Sequence, residues 1–270
     1  MFCRCLAWAV MAMSPLTLHA QSWSRQPRVA AGPSARESVF NLTLPNGESQ
    51  RVLYLAPMSP RATLVMFPGG SGDVGVERRG DIRNDDNFVV RTRDQWVSLN
   101  YAVIIPDAAG HENLRGQRSS PAYAWLIAAL VDAAHKRSSG PVFLLGTSQG
   151  SIAAMNGAAH ARAGSIAGVV LTESVSILGG SHETVFDADP GEVRVPALVV
   201  ANDDDRCNVA PPQQAARIVA AMVQSADASL IRVQGGMQKS ASPCGSLTPH
   251  GYYGIEATVI GDIASWLGKH

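Results

Sequence analysis

Short apolar segments alternate along the chain with longer amphipathic ones. Predominantly apolar runs, typical of strands buried on both faces of a sheet, lie at 62–67, 101–105, 142–145, 166–171, 196–201 and 229–233. Segments that favour helices lie between or after them, at 92–99, 121–135, 149–163, 212–224 and 252–267. This alternation predicts an α/β fold, with a mostly parallel central sheet and helices on both of its faces.

The first part of the folded chain has a different pattern. Residues 39–44 alternate between apolar and polar side chains, a Pro-Asn-Gly turn signal follows at 45–47, and a second strand pattern covers 51–55. Two such strands with a short turn predict an antiparallel N-terminal hairpin. We expect one domain over 38–270, preceded by a flexible lead-in over 21–37.

Residues 1–20 have the layout of a secretory signal peptide. One basic residue, Arg4, precedes an apolar stretch, and Leu18-His19-Ala20 stands before Gln21. The sequence therefore predicts an exported protein, periplasmic or secreted, with no stable membrane insertion once the signal is cleaved. The alternative is an uncleaved membrane anchor.

Export changes what the cysteines predict. Cys3 and Cys5 would leave with the signal peptide, and Cys207 and Cys244 would remain as a pair in an oxidising compartment. We expect a disulfide between them, against the alternative of two buried free thiols.

The charge balance gives no reason to expect a polyanionic partner. Lys plus Arg and Asp plus Glu number 22 each, so the formal net charge is zero. We therefore predict no nucleic-acid partner and no attraction to anionic membranes. His, Cys and Asp residues do not recur at metal-ligand spacings, so the sequence predicts neither a metal site nor a cofactor.

The strongest chemical signal is Gly146-Thr147-Ser148-Gln149-Gly150, directly after an apolar strand pattern and at the start of a helical one. A Gly-x-Ser-x-Gly turn in this context raises its serine above the edge of the sheet on a strained backbone. The hydroxyl then lies at a helix N-terminus, which favours developing negative charge. This arrangement is suited to a nucleophile.

A glycine-rich loop, 68–73, follows the apolar strand at 62–67. Such a loop exposes backbone N–H groups at the carboxyl edge of the sheet, where they could bind phosphate or stabilise an oxyanion. No lysine follows as in a nucleotide-binding loop, so the oxyanion interpretation is favoured.

Serine needs a base within hydrogen-bond reach, and the base needs an acid that orients it. Two loops after later strands carry suitable residues. One contains Asp203, Asp204 and Asp205, and the other contains His250. Ser, then Asp, then His is the chain order of one known triad arrangement.

With these motifs, residues 38–268 resemble the α/β-hydrolase superfamily. The resemblance implies that Ser148 is the nucleophile and His250 the general base, and that the N–H groups of Gly70 and Gln149 form the oxyanion hole. It favours Asp205 as the acid, because Asn202 occupies the position at which relatives have a glycine three residues earlier. Asp203, Asp204 and Glu173 stay as alternatives.

The resemblance also implies an activity: hydrolysis of a small-molecule carboxylic ester through an acyl-enzyme intermediate. Residues 172–193 are too few for a large helical lid, so we expect an open site. Amide or thioester cleavage and acyl transfer could use the same triad. A non-catalytic binding protein, a cofactor-free haloperoxidase or a lyase could share the fold.

Overall fold

A computed structural model describes Met1, residues 36–43, Gly47 and residues 49–270 of the chain. Apart from Met1, the predicted signal peptide lies outside the described residues, as do most of the predicted lead-in and positions 44–46 of the hairpin turn. The first strand begins at Arg36.

Eight strands form one sheet. They are β1 Arg36–Thr43, β2 Ser49–Ala56, β3 Ala62–Phe67, β4 Tyr101–Pro106, β5 Val142–Thr147, β6 Gly168–Thr172, β7 Ala197–Asn202 and β8 Ala228–Val233. Their order across the sheet is β1-β2-β4-β3-β5-β6-β7-β8. The first two strands form the expected antiparallel hairpin, in which Arg36 pairs with Ala56. Strand β2 is also antiparallel to β4, and every later pairing is parallel.

Six α-helices surround this sheet in the described chain. They are α1 Phe88–Arg91, α2 Arg93–Ser98, α3 Pro121–His135, α4 Gln149–Ala159, α5 Ala215–Ala221 and α6 Glu256–Leu267. Helix α3 begins and ends where its periodicity predicted, with Ser120 accepting the capping hydrogen bond from the amide of Tyr123.

Three predicted helices are shorter than expected. Helix α4 ends at Ala159 instead of near 163. Helix α5 follows a 3₁₀ turn, Pro212–Gln214, and ends at Ala221 rather than 224. Helix α6 begins at Glu256 rather than at Tyr252, because Tyr252 has a left-handed backbone with φ 55°. A left-handed residue cannot continue a right-handed helix.

The central strands are buried on both faces, so their side chains divide between two cores. Val65, Leu144 and neighbouring residues pack against α3, α4 and α5. Leu64, Leu145 and the residues around them form the second core, against α1, α2 and α6. Helices on both faces confirm the predicted architecture of a central sheet covered by helices on each side. Residues 173–193 contain two 3₁₀ turns, Val185–Asp187 and Pro190–Glu192, and no α-helical lid.

Parallel strands bring the loops that follow them to one edge of the sheet. The loops after β3, β5, β6, β7 and β8 therefore meet at the carboxyl edge, and these loops contain the predicted functional residues. Among the described residues, no helix combines the length and the apolar character that a membrane crossing requires.

Candidate active site

Ser148 lies at the tip of a sharp turn between β5 and α4. Its backbone has φ 53° and ψ −123°, a strained conformation for a residue with a side chain. The amide of Ser148 donates to the carbonyl of Thr172 at 2.9 Å, and its carbonyl accepts from the amide and hydroxyl of Ser151. These bonds hold the strained turn in place.

The two glycines of the turn are required by close packing. A Cβ at Gly146 would lie 2.1 Å from the carbonyl oxygen of Gly150, and a Cβ at Gly150 would lie 2.0 Å from that of Phe67. Both contacts are with backbone, which cannot turn aside as a flexible side chain could. Small residues therefore let the start of α4 approach β3 closely enough to raise Ser148 at the sheet edge.

Ser148, His250 and Asp205 form a continuous chain of polar contacts. His250 Nε2 lies 2.9 Å from Ser148 Oγ, and His250 Nδ1 lies 2.7 Å from Asp205 Oδ2. His250 is 3% exposed and Asp205 is 6% exposed. An alcohol, an imidazole and a carboxylate thus meet in hydrogen-bond order, although 102 residues separate the first two in the chain.

The two neighbouring aspartates have other partners. Asp203 forms an ion pair with Arg232, which lowers the pKa of its exposed carboxyl chiefly through that hydrogen bond. Asp204 accepts a 2.7 Å hydrogen bond from the amide of Gly235. Of these three acidic side chains, only Asp205 contacts the imidazole.

The loop that carries His250 is fastened from two sides. Asn202 Nδ2, at the end of β7, donates to the carbonyls of Gly235 and Pro249 at 2.9 and 3.0 Å. Arg91 at the end of α1 donates to the carbonyls of Gly251 and Ser246. Arg91 is held in turn by a 2.9 Å ion pair with Glu256. These bonds fix the position of the loop that carries the imidazole.

A disulfide joins Cys207 to Cys244, as expected from the sequence. The amide of Cys207 also donates a 2.7 Å hydrogen bond to Asp205 Oδ1. The bridge therefore connects the loop after β7 to the loop that leads to His250.

The glycine-rich loop after β3 lies against the Ser148 turn. A Cβ at Gly69 would be 2.9 Å from Cβ of Ser148, so this glycine permits the close approach. Gly70 has a positive φ of 63°. Within the described chain, the backbone amides of Gly70 and Gln149 donate to no backbone or side-chain acceptor. Two amides beside the Ser148 hydroxyl are therefore available to a ligand oxygen.

Two residues that the sequence analysis did not single out hold this loop. The Arg118 guanidinium is 1% exposed and donates to the carbonyls of Pro68 and Gly70, at 3.4 and 3.2 Å. The Asp107 carboxylate accepts from the amides of Val74, Gly75 and Val76. Asp107 follows a buried strand directly, which was a usable signal, but nothing in the local sequence marks Arg118 as buried.

Glu173 lies behind Asp205. It follows β6, its backbone is left-handed with φ 43°, and it is 1% exposed. Its Oε1 accepts a 2.7 Å hydrogen bond from the amide of Asn202, and Oε2 has no partner in the described chain. Burial raises the pKa of Glu173 well above its ordinary value, and the neighbouring Asp205 carboxylate raises it further.

A cavity of about 320 Å³ opens in front of Ser148 and His250. Gly69, Gly70 and Cys244 line it on the side of the site. Its outer wall is the polar segment 83–87, which contains Arg83, Asn84, Asp85, Asp86 and Asn87. Asn87 also caps α1 by accepting from the amide of Val89.

Two groups of three side chains place potential metal-ligating atoms close together in the described chain. They are Asp73, Asp107 and His111, and Glu173, Asp205 and His250. In the first group, the Asp107 oxygens already accept backbone N–H groups, and His111 Nδ1 lies 3.0 Å from Asp73 Oδ1. In the second, Asp205 and His250 contact each other. Neither donor set calls for a metal to explain its arrangement.

No protein-family model matches the chain, and no curated protein sequence matches it. Solved structures resemble it clearly at low identity. Est1E from Butyrivibrio proteoclasticus is 14% identical with a TM-score of 0.58, over 86% of this chain and 98% of that one. An esterase from Pyrococcus furiosus is 10% identical with a TM-score of 0.63, over 87% and 91%.

A third similar structure is an alpha-beta serine hydrolase homologue from Coxiella burnetii. It is 16% identical with a TM-score of 0.59, over 85% of this chain and 97% of that one. Together with the strand order and the turn at Ser148, these likenesses identify the fold as the α/β-hydrolase fold. Each of these likenesses spans 85–87% of this chain.

Proposed function

We propose that this chain is a serine hydrolase that cleaves carboxylic esters through an acyl-enzyme intermediate. The observation that supports the proposal most strongly is the series of hydrogen-bond contacts from Ser148 Oγ through the His250 imidazole to Asp205. Two of the similar structures are named as esterases and a third as a serine hydrolase homologue, which agrees with this chemistry.

In the proposed reaction, Ser148 attacks the carbonyl carbon of the ester while His250 Nε2 takes the hydroxyl proton. Asp205 holds the imidazole through Nδ1 and stabilises the positive charge that forms on it. His250 then gives its proton to the departing alcohol as the carbon–oxygen bond breaks. Water then attacks the acyl carbon while His250 takes its proton. The bond between the acyl carbon and Ser148 Oγ breaks, His250 returns the proton to Oγ, and a carboxylic acid leaves.

The amides of Gly70 and Gln149 are proposed to bind the oxyanion of each tetrahedral intermediate. Fixed donors aimed at developing charge act without reorganising, and losing one typically costs about 3 kcal/mol of activation free energy. The helix α4 begins at Gln149, so its N-terminal dipole adds to this stabilisation.

The cavity supports a small, polar ester as substrate. Its volume of about 320 Å³ is at the lower end for small-molecule sites, and segment 83–87 gives its outer wall charged and amide groups. A long alkyl chain would have to displace water from these groups without replacing their hydrogen bonds. We therefore expect short acyl chains to be preferred.

The test compares wild type with Ser148→Ala on p-nitrophenyl esters from acetate to decanoate. We expect kcat/KM of wild type to be highest for the short esters, and Ser148→Ala to lose more than about 10⁴-fold in kcat. Ser98→Ala is the matched control, because Ser98 lies in α2 and its hydroxyl donates to the carbonyl of Gln95. A fluorophosphonate probe should label wild type and Ser98→Ala. Equal turnover by wild type and Ser148→Ala would reject the assignment.

Export is part of the proposal. The disulfide supports it, because disulfides persist in oxidising compartments and are rare in the cytosol. Expression of the full chain in a bacterial host, followed by fractionation and N-terminal sequencing, tests it. We expect the mature protein outside the cytoplasm, with an N-terminus near Gln21. Full-length protein in the cytosolic fraction would contradict export.

A further inference from the structure

Two buried carboxyl groups, not one, face the His250 imidazole. One carboxylate oxygen each of Glu173 and Asp205 and a ring nitrogen of His250 all lie within 4.8 Å of one another. Glu173 comes from the loop after β6, Asp205 from the loop after β7 and His250 from the loop after β8. The tertiary structure therefore places a second acid next to the proposed triad acid.

The hydrogen bonds around the two carboxyl groups indicate which of them carries the proton. Asp205 accepts hydrogen bonds on both oxygens, from the Cys207 amide and from His250 Nδ1. Glu173 accepts one, from the Asn202 amide, and its Oε2 is buried without a partner. Two carboxylates this close in a dry site cannot both ionise, so one proton stays on the pair. Because Glu173 accepts fewer hydrogen bonds than Asp205, Glu173 keeps the proton and the negative charge lies on the Asp205 side of the pair.

Among the described residues, the groups that face Glu173 besides Asp205 and His250 include no cation. Besides Asp205 and His250, the remaining titratable neighbour is Tyr252, whose hydroxyl donates to the carbonyl of Val200 at 3.0 Å. Burial raises the pKa of Tyr252 well above its ordinary value, and the Glu173 carboxyl raises it further. Tyr252 therefore stays neutral and leaves the shared proton on the carboxyl pair.

The backbone of Glu173 supports a functional reason for this residue. A glutamate in the left-handed region is strained, and the cost is added to that of burying its carboxyl. An asparagine or glycine would adopt this backbone more easily, and an apolar residue would fill the space without an orphaned oxygen. Strain and burial together are expected where a group has a role in the site.

We propose that Glu173 is a positioning residue that shares the single negative charge of the acid with Asp205 and substitutes for Asp205 when that carboxylate is removed. The proposal rests on the proposed function, since it concerns the acid of the same triad. When Asp205 is replaced by alanine, the Glu173 proton passes to solvent, and the resulting carboxylate stabilises the protonated His250.

The experiment is a double-mutant cycle with Asp205→Ala and Glu173→Gln, followed by kcat and KM for p-nitrophenyl acetate. We expect Glu173→Gln to lower kcat about tenfold more in the Asp205→Ala background than in wild type. Asp204→Ala is the matched background, because Asp204 contacts the Gly235 amide instead of His250. There the effect of Glu173→Gln should equal its effect in wild type.

The pH profile separates a charge role from a structural one. In Asp205→Ala, the pH profile of kcat should contain an additional step from the ionisation of Glu173, and this step should be absent from the double variant. If Glu173 only fills space, both variants will have the same profile and the cycle will show no coupling. That result would overturn the proposal while leaving wild-type activity and Ser148 labelling intact. If the proposed function itself is wrong, wild-type esterase activity and labelling of Ser148 will both be absent.

A measurement on the unmutated protein tests the proposal even if the variants do not fold. Carbon NMR of wild type containing ¹³C-carboxyl glutamate should show one glutamate carboxyl still protonated at pH 7. That signal should be absent from Glu173→Gln. A spectrum in which every glutamate is ionised at pH 7 would overturn the shared-proton arrangement.

Discussion

The amide of Cys207 donates a 2.7 Å hydrogen bond to Oδ1 of Asp205, and the Cys207 side chain is bonded to Cys244. Cys244 stands six residues before His250, in the loop that leads to it. One covalent bridge thus ties the loop of Asp205 to the loop of His250. The bridge restrains the unfolded chain over a separation of 37 residues, and it also limits movement between the two loops in the folded protein.

Replacing both cysteines by serine should therefore lower stability and activity together. The chain-entropy model gives a loss of about 3–4 kcal/mol in the free energy of unfolding. We also expect kcat to fall about tenfold or more, because small misplacements of acid and base are costly. Urea unfolding and ester turnover measure the two effects.

Dithiothreitol provides the control for the disulfide. It should reproduce both losses in wild type and leave the double serine variant unchanged. Wild type that keeps its melting temperature and its kcat after complete reduction would show that the bridge preorganises nothing.

Arg118 should affect catalysis through the oxyanion loop. Its buried guanidinium donates to the carbonyls of Pro68 and Gly70, and Gly70 lines the cavity. Arg118→Met removes both hydrogen bonds. If the Gly70 amide binds the oxyanion as proposed, we expect kcat to fall about tenfold with little change in KM, because that contact is made in the transition state.

The matched control for Arg118→Met is Arg93→Met. Arg93 is also buried and also donates to a backbone carbonyl, that of Val90, but it lies in α2. Both variants should be less stable to urea, and only Arg118→Met should lose kcat at temperatures where both are folded. Equal kcat in the two would mean that Arg118 has a purely structural role.

Glu173 should make stability depend on pH. Burial, and then the Asp205 charge, raises the folded-state pKa of Glu173 above the ordinary value of 4.5. Below pH 4.5 both folded and unfolded chains hold the proton. Above it the unfolded chain releases the proton and the folded chain keeps it, so stability declines as pH rises toward the folded-state pKa. The slope for one proton is at most about 1.4 kcal/mol per pH unit.

Glu173→Gln lacks this titration and serves as the reference. The unfolding free energy of wild type minus that of Glu173→Gln should decrease between pH 5 and pH 7, as measured by urea unfolding at each pH. A difference that is constant across this range would contradict a protonated Glu173.

The second glycine of the Ser148 turn should be intolerant of a methyl group. A Cβ on Gly150 would lie 2.0 Å from the Phe67 carbonyl oxygen, so α4 would have to move away from β3. We expect Gly150→Ala to lose about 3 kcal/mol or more of unfolding free energy. Gly261→Ala in α6 is the control, since nothing lies within 4 Å of its new Cβ. That variant should gain about 0.5–1 kcal/mol, and equal stabilities would contradict the packing argument.

The sequence alone determined the order and type of the strands and of the longer helices, whereas the short helix α1 lies in a segment that was not predicted to be helical. Residues 62–67 and the helix Pro121–His135 were predicted to the residue, because continuous apolar character and helical spacing are local properties. Helix ends were predicted less well. Helix α6 begins late because Tyr252 is held in a left-handed conformation, and tertiary contacts, not propensity, decide that conformation.

Chain order and the family resemblance also predicted Ser148, Asp205 and His250 as partners. Only the tertiary structure decided which aspartate faces the imidazole. Asp203, Asp204 and Asp205 are chemically equivalent in sequence, and their roles diverge because Arg232 and the Gly235 amide bind the first two. Likewise, Arg118 and Glu173 gain their positions from burial beside residues distant in the chain. Burial of a charged group depends on packing between loops of different strands, which no local pattern of residues encodes.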